Sequence, residues 1–316
     1  MALKVVALAG GVGGAKLVHG LAAALPPDDL TAIVNTGDDF DHLGLRVCPD
    51  LDTVVYTLAG VANRRTGWGR DGETWSFLET TATLGGPTWF RLGDRDVALH
   101  VLRTQRLRER VPLSEVTRDV CLALGIRGRV LPMTDDEVRT VAVTDRGEMP
   151  FQEYFVQRAC EPIVRGFRFP GADLARPAPG VLEALRAADL VVLCPSNPWV
   201  SIDPILALRE IRSAAEGRTV VAVSPLIAGK AVKGPAAKMA AELEVDPTPQ
   251  GIGAHYAGLL HGLVYDQADP DVGLDLQKAG LRSLRTRTLM RSDRDRRRLA
   301  EEVLTFGATI AQVEAS

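Results

Sequence analysis

A chain of 316 residues with 46% apolar side chains has room for one large α/β domain, or one domain carrying an insertion, and needs neither disulfides nor metals to fold. A formal net charge of −3 at pH 7 gives no overall basic footprint for nucleic acid or an anionic membrane. No run of about twenty apolar residues suits a membrane span, and Met1-Ala2-Leu3-Lys4 leads directly into a core-like strand instead of a secretory signal, so the expected compartment is the cytoplasm.

Residues 4–9 (KVVALA) read as a buried parallel strand and 15–24 as the helix after it. Residues 30–35 (LTAIVN) form a second strand, followed by a polar, Asp-rich stretch from Thr36 to Asp52. Helical spacing returns at 51–60, 73–83, 95–106 and 113–124. Residues 127–170 change character. Short β-like runs, Arg129–Pro132 and Glu137–Thr144, alternate there with charged turns, and 151–168 is richer in aromatics and Arg. Regular alternation resumes with a helix at 180–188, a strand at 189–194, a helix at 203–214, a strand at 218–223 and a helix at 235–243. Strands at 259–265 and 284–290 and a final helix at 293–307, capped by Ser292, complete the series. The alternation predicts a Rossmann-like α/β fold, a doubly wound and mainly parallel sheet with a smaller inserted α+β subdomain. The expected parts are 1–126, an insertion at 127–179, and 180–316, which returns to the main sheet. Cys48, Cys121, Cys160 and Cys194 form no CxxC pair and match no zinc spacing, so they are expected to be reduced and buried.

Four loops at predicted strand ends carry chemistry. Gly10-Gly11-Val12-Gly13-Gly14-Ala15-Lys16 joins the first strand to its helix. Its glycines permit a sharp turn, the helix N-terminus beyond them suits phosphate, and Lys16 adds a charge. The spacing is neither a full Walker A nor a GxGxxG fingerprint, which disfavours a P-loop NTPase and an ordinary dehydrogenase. Asn35-Thr36-Gly37-Asp38-Asp39-Phe40-Asp41 follows the second strand, and Asp50 and Asp52 come soon after. Carboxylates beside a phosphate site hold Mg²⁺ or take a proton from a hydroxyl, although Asp50 also stands where it could cap a helix. Pro195-Ser196-Asn197-Pro198-Trp199-Val200-Ser201 offers uncharged donors on a stiff loop. Ser224-Pro225-Leu226-Ile227-Ala228-Gly229-Lys230-Ala231-Val232-Lys233-Gly234-Pro235 offers two lysines and a second helix start. Beyond these loops, Arg91 and its aromatic neighbours suit a flat heterocycle, against the alternative of a helix start capped by Asp94. No His lies inside the four loops. The Arg-rich stretch from Arg282 to Arg298, followed by Glu301 and Glu302, reads as a solvated helix face or an oligomer contact.

Taken in order, GGVGGAK, NTGDDF, PDLDTVVYTL, RLGDRD, PMTDDEVRT, PSNPWVSIDPIL and VSPLIAGKAVKGPAAKM resemble the 2-phospho-L-lactate transferase family of coenzyme F-420 biosynthesis, from residue 4 to about 306. The resemblance implies transfer of a phosphoacid from a guanosine diphospho-linked donor to the primary alcohol of the deazaflavin Fo, with release of GMP and a requirement for Mg²⁺. It implies Asp50 and Arg91 as Fo contacts, with Asp38 and Thr36 beside them. It implies nucleotide contacts at Gly10, Gly11, Gly13, Gly14 and Lys16, at Ser196, Asn197 and Ser201, and at Ser224, Pro225, Lys230 and Gly234. Asp39 and Asp50 are the candidate catalytic and Mg²⁺-holding carboxylates, and a homodimer is implied. The first loop resembles bacterial members, not the GGTGTPK of archaeal ones. The donor acid therefore stays open among 2-phospholactate, enolpyruvyl phosphate and 3-phosphoglycerate. Two other readings compete: a non-catalytic regulatory protein of a related GG-loop group that binds a nucleotide sugar, and a nucleotide-dependent dehydrogenase.

Overall fold

A computed structural model describes residues 3–314; Met1 and Ala2 of the N-terminal reading lie outside the described residues. The first half of the chain runs β1 (Val5–Ala9), α1 (Gly11–Ala24), β2 (Leu30–Val34), a hairpin of β3 (Phe40–His42) and β4 (Leu45–Val47), then α2 (Pro49–Leu58), α3 (Ser76–Thr83), α4 (Asp94–Arg108) and α5 (Leu113–Ala123). The middle holds β5 (Arg129–Pro132), β6 (Val141–Thr144), β7 (Gly147–Pro150), β8 (Val164–Arg168) and α6 (Val181–Ala187). The remainder holds β9 (Leu190–Leu193), α7 (Asp203–Leu206), α8 (Arg209–Glu216), β10 (Thr219–Val223), β11 (Leu226–Ile227), β12 (Lys230–Ala231), α9 (Ala236–Glu242), α10 (Pro249–His255), β13 (Gly262–Asp266), α11 (Gly273–Lys278), β14 (Arg282–Thr286) and α12 (Asp293–Glu314).

Seven strands form one sheet in the order β14-β13-β10-β9-β1-β2-β5, every pair parallel. This is the expected Rossmann-like arrangement. Strands β1, β2, β9, β10 and β13 are buried along their whole length because helices cover both faces, which is why they read as unbroken apolar runs. The edge strand β14 exposes Arg282 and Arg285, which discourages pairing with another chain. One face is packed by α1, α2 and α12, the other by α6, α8, α9 and α10. From β1 the chain winds outward through β2 to β5, then returns to the other side of β1 at β9. The strand order therefore reverses between β1 and β9, which opens the crevice where such sheets take ligands.

The 127–179 segment does not stand apart as a whole. Its first strand, β5, pairs with β2 and ends the main sheet, so the insertion begins after Pro132. What remains is a three-stranded antiparallel sheet, β7-β6-β8. Ala142, Phe151, Tyr154 and Val164 from this segment join the same apolar cluster as β9 and β10. The expected helix at 203–214 is two helices, with a π-helical turn at Pro198–Ile202 before them. The hairpins β3–β4 and β11–β12 have strands of two or three residues, too short to give a periodic signal. Ser292 and Asp295 form a reciprocal capping box at the start of α12, as the sequence suggests. All four cysteines are free and buried. Among the described residues no helix is long and apolar enough to cross a membrane.

Helices α1 and α12 meet at Gly20, where an added Cβ would fall 2.1 Å from the Arg296 carbonyl oxygen. That atom is backbone and cannot swing aside. Gly20→Ala should therefore separate the two helices and cost about 2–3 kcal/mol, measured as a fall in the urea midpoint at unchanged m-value.

Candidate active site

The glycine turn is the first turn of α1, which starts at Gly11 and not at residue 15. Gly10 is extended and Gly11 takes a left-handed φ of +59°. Three of the four glycines make room for protein. A Cβ on Gly13 would lie 2.1 Å from Pro195 O, one on Gly14 2.4 Å from Ser196 Oγ, and one on Gly10 2.3 Å from Asp50 Oδ2. The loops after β1 and β9 thus interlock across the crevice. The Ser196 hydroxyl seals the joint, accepting from Gly10 N–H at 3.1 Å and donating to Gly10 O at 2.7 Å. Asn197 accepts from Trp199 N–H and caps the π-helical turn, while buried Ser201 lies against Gly10. These side chains shape the crevice, and the helix N-terminus carries the free N–H groups.

Asp50 lies inside the first turn of α2 but does not cap it. Its carboxylate accepts from Asn35 Nδ2 at 2.9 Å and lies against the glycine turn, with Oδ1 3.6 Å from where a Cβ on Gly11 would stand. Asn35 also donates to Val200 O at 3.0 Å and accepts from Gly37 N–H at 2.8 Å. Fully buried Asn35 therefore ties the acidic loop and the loop after β9 to one carboxylate. The sequence reading placed Asn35 in the acidic loop without giving it a role. Its signal is an amide directly at the end of a wholly apolar strand.

Asp38, Asp39 and Asp50 are all buried. Burial pushes Asp50 up to about 6 and Asp39 up to about 7. Burial, then the Asp50 charge beside it, raises Asp38 well above the usual carboxylate range. Asp39 turns away from this pair toward Cys48, Arg103, Arg46 and Asp52. The structure therefore sets Asp38, not Asp39, beside Asp50. Asp38 Oδ1, Asp39 Oδ1 and Thr36 Oγ1 have no hydrogen-bond partner among the described residues. The insertion grips the backbone of this loop, with Thr140 N–H donating to Gly37 O at 2.7 Å, Gln152 to Asp38 O at 3.5 Å and Arg139 to Asp39 O. Below it, Arg103 pairs with Asp52 through both guanidinium nitrogens, one contact at 3.1 Å, and ties α4 to α2.

Among the described residues no three His, Cys, Asp or Glu side chains form a metal cage. Two adjacent carboxylates, one with an unpaired oxygen, fit a different kind of site. Mg²⁺ commonly takes one or two carboxylates and completes its shell with phosphate oxygens and water. Asp38 and Asp50 are the residues that could hold it.

The cations come from two sides. Lys16 donates to Met290 O at 3.2 Å, and burial together with Arg296 and Lys233 lowers its pKa. Lys233 reaches the start of α1. A Cβ on Gly67 would fall 2.9 Å from Lys233 Nζ and 2.7 Å from Val12 Cγ1. The expected contact Lys230 is instead exposed in the β11–β12 hairpin. The Ser224 hydroxyl is spent on the Leu226 N–H and carbonyl, while Pro225 lies in the same turn and Gly234 has a φ of +75° with open space around it.

On the other flank, Phe40, His42, Trp89 and Phe90 form one aromatic cluster with ring centroids 4.8–6.0 Å apart. Phe40 follows Asp39 directly, so the cluster adjoins the acidic loop. Arg91 lies 4.4 Å over the Trp75 ring. Asp94 caps α3, accepting from Ser76 and Phe77 N–H, and not its own helix. His42 sits one residue beyond the loop in which no histidine was expected. It is buried with Nε2 unpaired, and burial lowers its pKa. A cavity of about 220 Å³ opens beside Thr36, Asp39, Arg46, Leu107, Leu113 and the 135–138 segment.

The family model described as 2-phospho-L-lactate transferase CofD matches residues 5–302. A phosphoenolpyruvate transferase from Streptomyces griseus is 46% identical over 301 residues, covering 93% of this chain and 94% of that protein. A 2-phospho-L-lactate transferase from Methanopyrus kandleri is 42% identical over 308 residues, covering 96% and 97%. In fold, the chain is similar to a crystal structure of a UPF0052-family protein from Bacillus halodurans, with a TM-score of 0.63 at 16% identity over 96% of this chain and 99% of that one.

Because burial raises the folded-state pKa of Asp39, its ionisation opposes folding. Its contribution to stability is complete below about pH 4 and is lost as pH rises through about 7. Asp39→Asn removes the titrating group. The unliganded variant should gain about 3 kcal/mol over wild type at pH 8 and little at pH 4. Urea unfolding at the two pH values measures this, and an equal difference at both would contradict it.

Proposed function

The chain belongs to the 2-phospho-L-lactate transferase family and is a transferase, and from that premise we propose that it moves a phosphoacid from a guanosine diphospho-linked donor to the primary alcohol of the deazaflavin Fo in coenzyme F-420 assembly. The observation that carries this reading is the seating of the Asp50 carboxylate against Gly10 and Gly11, where an added Cβ would fall 2.3 and 3.6 Å from its oxygens. It places a carboxylate with a pKa of about 6 directly beside the helix start that suits a diphosphate. At neutral pH this carboxylate is mostly ionised and is poised to accept a proton.

In this proposal the α1 N-terminus and Lys233 hold the donor diphosphate, and Lys16 adds positive potential from behind. The acceptor alcohol approaches from the Thr36 and aromatic side, with Asp50 orienting it and receiving its proton. The alcohol oxygen bonds to the phosphorus bearing the acid, and the bond from that phosphorus to the bridging oxygen breaks. GMP leaves with the bridging oxygen. Asp38 and Asp50 would hold Mg²⁺, which would supply charge neutralisation to the diphosphate. Most of the catalytic effect then comes from positioning and neutralisation. The relatives bear names for both phosphoenolpyruvate and 2-phospho-L-lactate transfer, and the donor acid stays open among the three.

The competing readings lose ground for stated reasons. A non-catalytic binding role sits poorly with 42–46% identity to proteins named as transferases. The dehydrogenase reading needs a ribose-binding acid at the end of β2, and Asp38 there is directed to Asp50.

Incubation with Fo, Mg²⁺ and each guanylylated three-carbon phosphoacid in turn should give GMP and a phosphoester identified by its mass. No product from any of the three would sink the reading. Asp50→Asn should lower turnover by about 10³-fold or more while guanosine diphosphate still binds, as read by calorimetry; turnover at the wild-type rate would remove Asp50 from the chemistry.

A further inference from the structure

The segment between α2 and α3 contains Thr66-Gly67-Trp68-Gly69, and Trp68 is 44% exposed. Among the described residues no other ring packs against its indole. A tryptophan carries a large apolar face with one polar edge, which suits it to an occupant that stacks on the ring.

The loop is built, not slack. The Asn63 side chain accepts from Arg65 and Thr66 N–H at 3.0 and 3.2 Å. Asn63 N–H donates to Gly69 O at 3.0 Å, and Gly67 N–H donates to Asn63 O at 2.8 Å. The Thr66 hydroxyl donates to Trp68 O at 2.6 Å, and Ala62 pairs with Arg70 across the base. Gly67 and Gly69 take left-handed φ values of +78° and +69°, so a residue with a Cβ at either place would strain the turn that presents the indole. Outside anchors fix the loop as a unit, through Arg64 to Asp293 at 3.1 Å, Arg95 to Asp71 O at 3.0 Å and Arg70 over the Tyr56 ring.

Its location gives the indole a purpose. Gly67 sits directly on Val12 of the glycine turn and on the Lys233 ammonium. Trp68 is therefore the next residue along from the point where the α1 N-terminus and Lys233 meet. A ligand whose phosphates lie at that point would have an exposed indole one residue along the chain from them. The acceptor side already has its own rings in the Phe40–Trp89–Phe90 cluster. From this juxtaposition we infer that Trp68 is the stacking platform for the purine base of the bound nucleotide, and that the 63–70 loop with Lys233 forms the wall of the donor pocket. This rests on the guanosine-linked donor proposed above. Sequence-tolerant stacking on an aromatic ring, with the phosphates held separately, makes Trp68 a contributor to affinity for the whole nucleotide.

The test is titration of the folded protein with GDP and Mg²⁺, and separately with inorganic pyrophosphate and Mg²⁺. Indole fluorescence and calorimetry are followed together, and circular dichroism confirms the fold of each variant. Wild type should show a fluorescence change on GDP that is lost in Trp68→Phe, although Trp75, Trp89 and Trp199 remain. Trp68→Ala should weaken GDP on the order of ten- to a hundred-fold, with Trp68→Phe in between and pyrophosphate affinity unchanged. Equal GDP affinity in wild type and Trp68→Ala overturns the stacking role while leaving the guanosine reading intact. Equal losses for GDP and pyrophosphate also overturn it, because the loop would then serve the phosphate site alone. A fluorescence change with Fo that Trp68→Phe abolishes, with none on GDP, reassigns the indole to the acceptor and overturns it too. Failure of wild type to bind GDP removes the guanosine reading and this inference together.

Discussion

The carboxyl edge of the sheet depends on how closely a helix start without side chains can approach a carbonyl. The first turn of α1 fits against Pro195 O and Ser196 Oγ only because positions 13 and 14 lack a Cβ. That approach closes the crevice between β1 and β9 to the width at which Asp50 accepts from Asn35 and lies against Gly10. Once the joint is set, the Asp50 carboxylate, the free N–H groups of α1 and the acidic loop share one wall. The glycines thus act one step earlier than direct ligand contact, by letting two loops of protein touch.

Charge is the second constraint. Four buried carboxylates, Asp38, Asp39, Asp50 and Asp52, sit within one short stretch of chain, and the cations around them are unevenly placed. Arg103 and Arg46 attend Asp39, while Asp38 faces Asp50 with no cation between them. Such an arrangement is unfavourable in an empty protein and favourable once positive charge arrives. The insertion's grip on Gly37, Asp38 and Asp39 resists the obvious relief, which would be for the loop to swing into solvent. On the proposed reading, a strained charge pattern and a braced backbone suit a site that takes a cation-bound polyphosphate.

Much of this could be read from the chain alone, for physical reasons. Buried parallel strands leave unbroken apolar runs, so β1, β2, β9 and β10 stand out, and loops at their ends must carry the polar residues of the crevice. The Asp50 position and the glycine turn followed from that logic. The details that escaped are those set by side-chain direction. Nothing in the order Asp38-Asp39 tells which carboxylate turns toward Asp50. Nothing in the order Lys230…Lys233 tells which lysine reaches α1, because a two-residue hairpin sends one outward. Ser196 and Ser224 have the composition of ligand donors, yet both hydroxyls are consumed by neighbouring backbone. The charged turns around β5 set it, in sequence, with the 127–179 segment, and only its pairing with β2 reveals that it belongs to the main sheet.

The pairing of β1 with β9 has a further consequence, in time. Val5 lies opposite Leu190, so the central strand of the sheet must wait 185 residues for one of its two neighbours. At ribosomal speeds of roughly 5–20 residues per second, that is a delay on the order of 10–40 s. Throughout it, β1 and its glycine turn have no Pro195 loop to lean on, and the nascent chain presents an open, apolar strand edge. Synthesis of the first half therefore leaves a half-sheet that invites chaperone capture, and the crevice comes into being only when the second half emerges to close it.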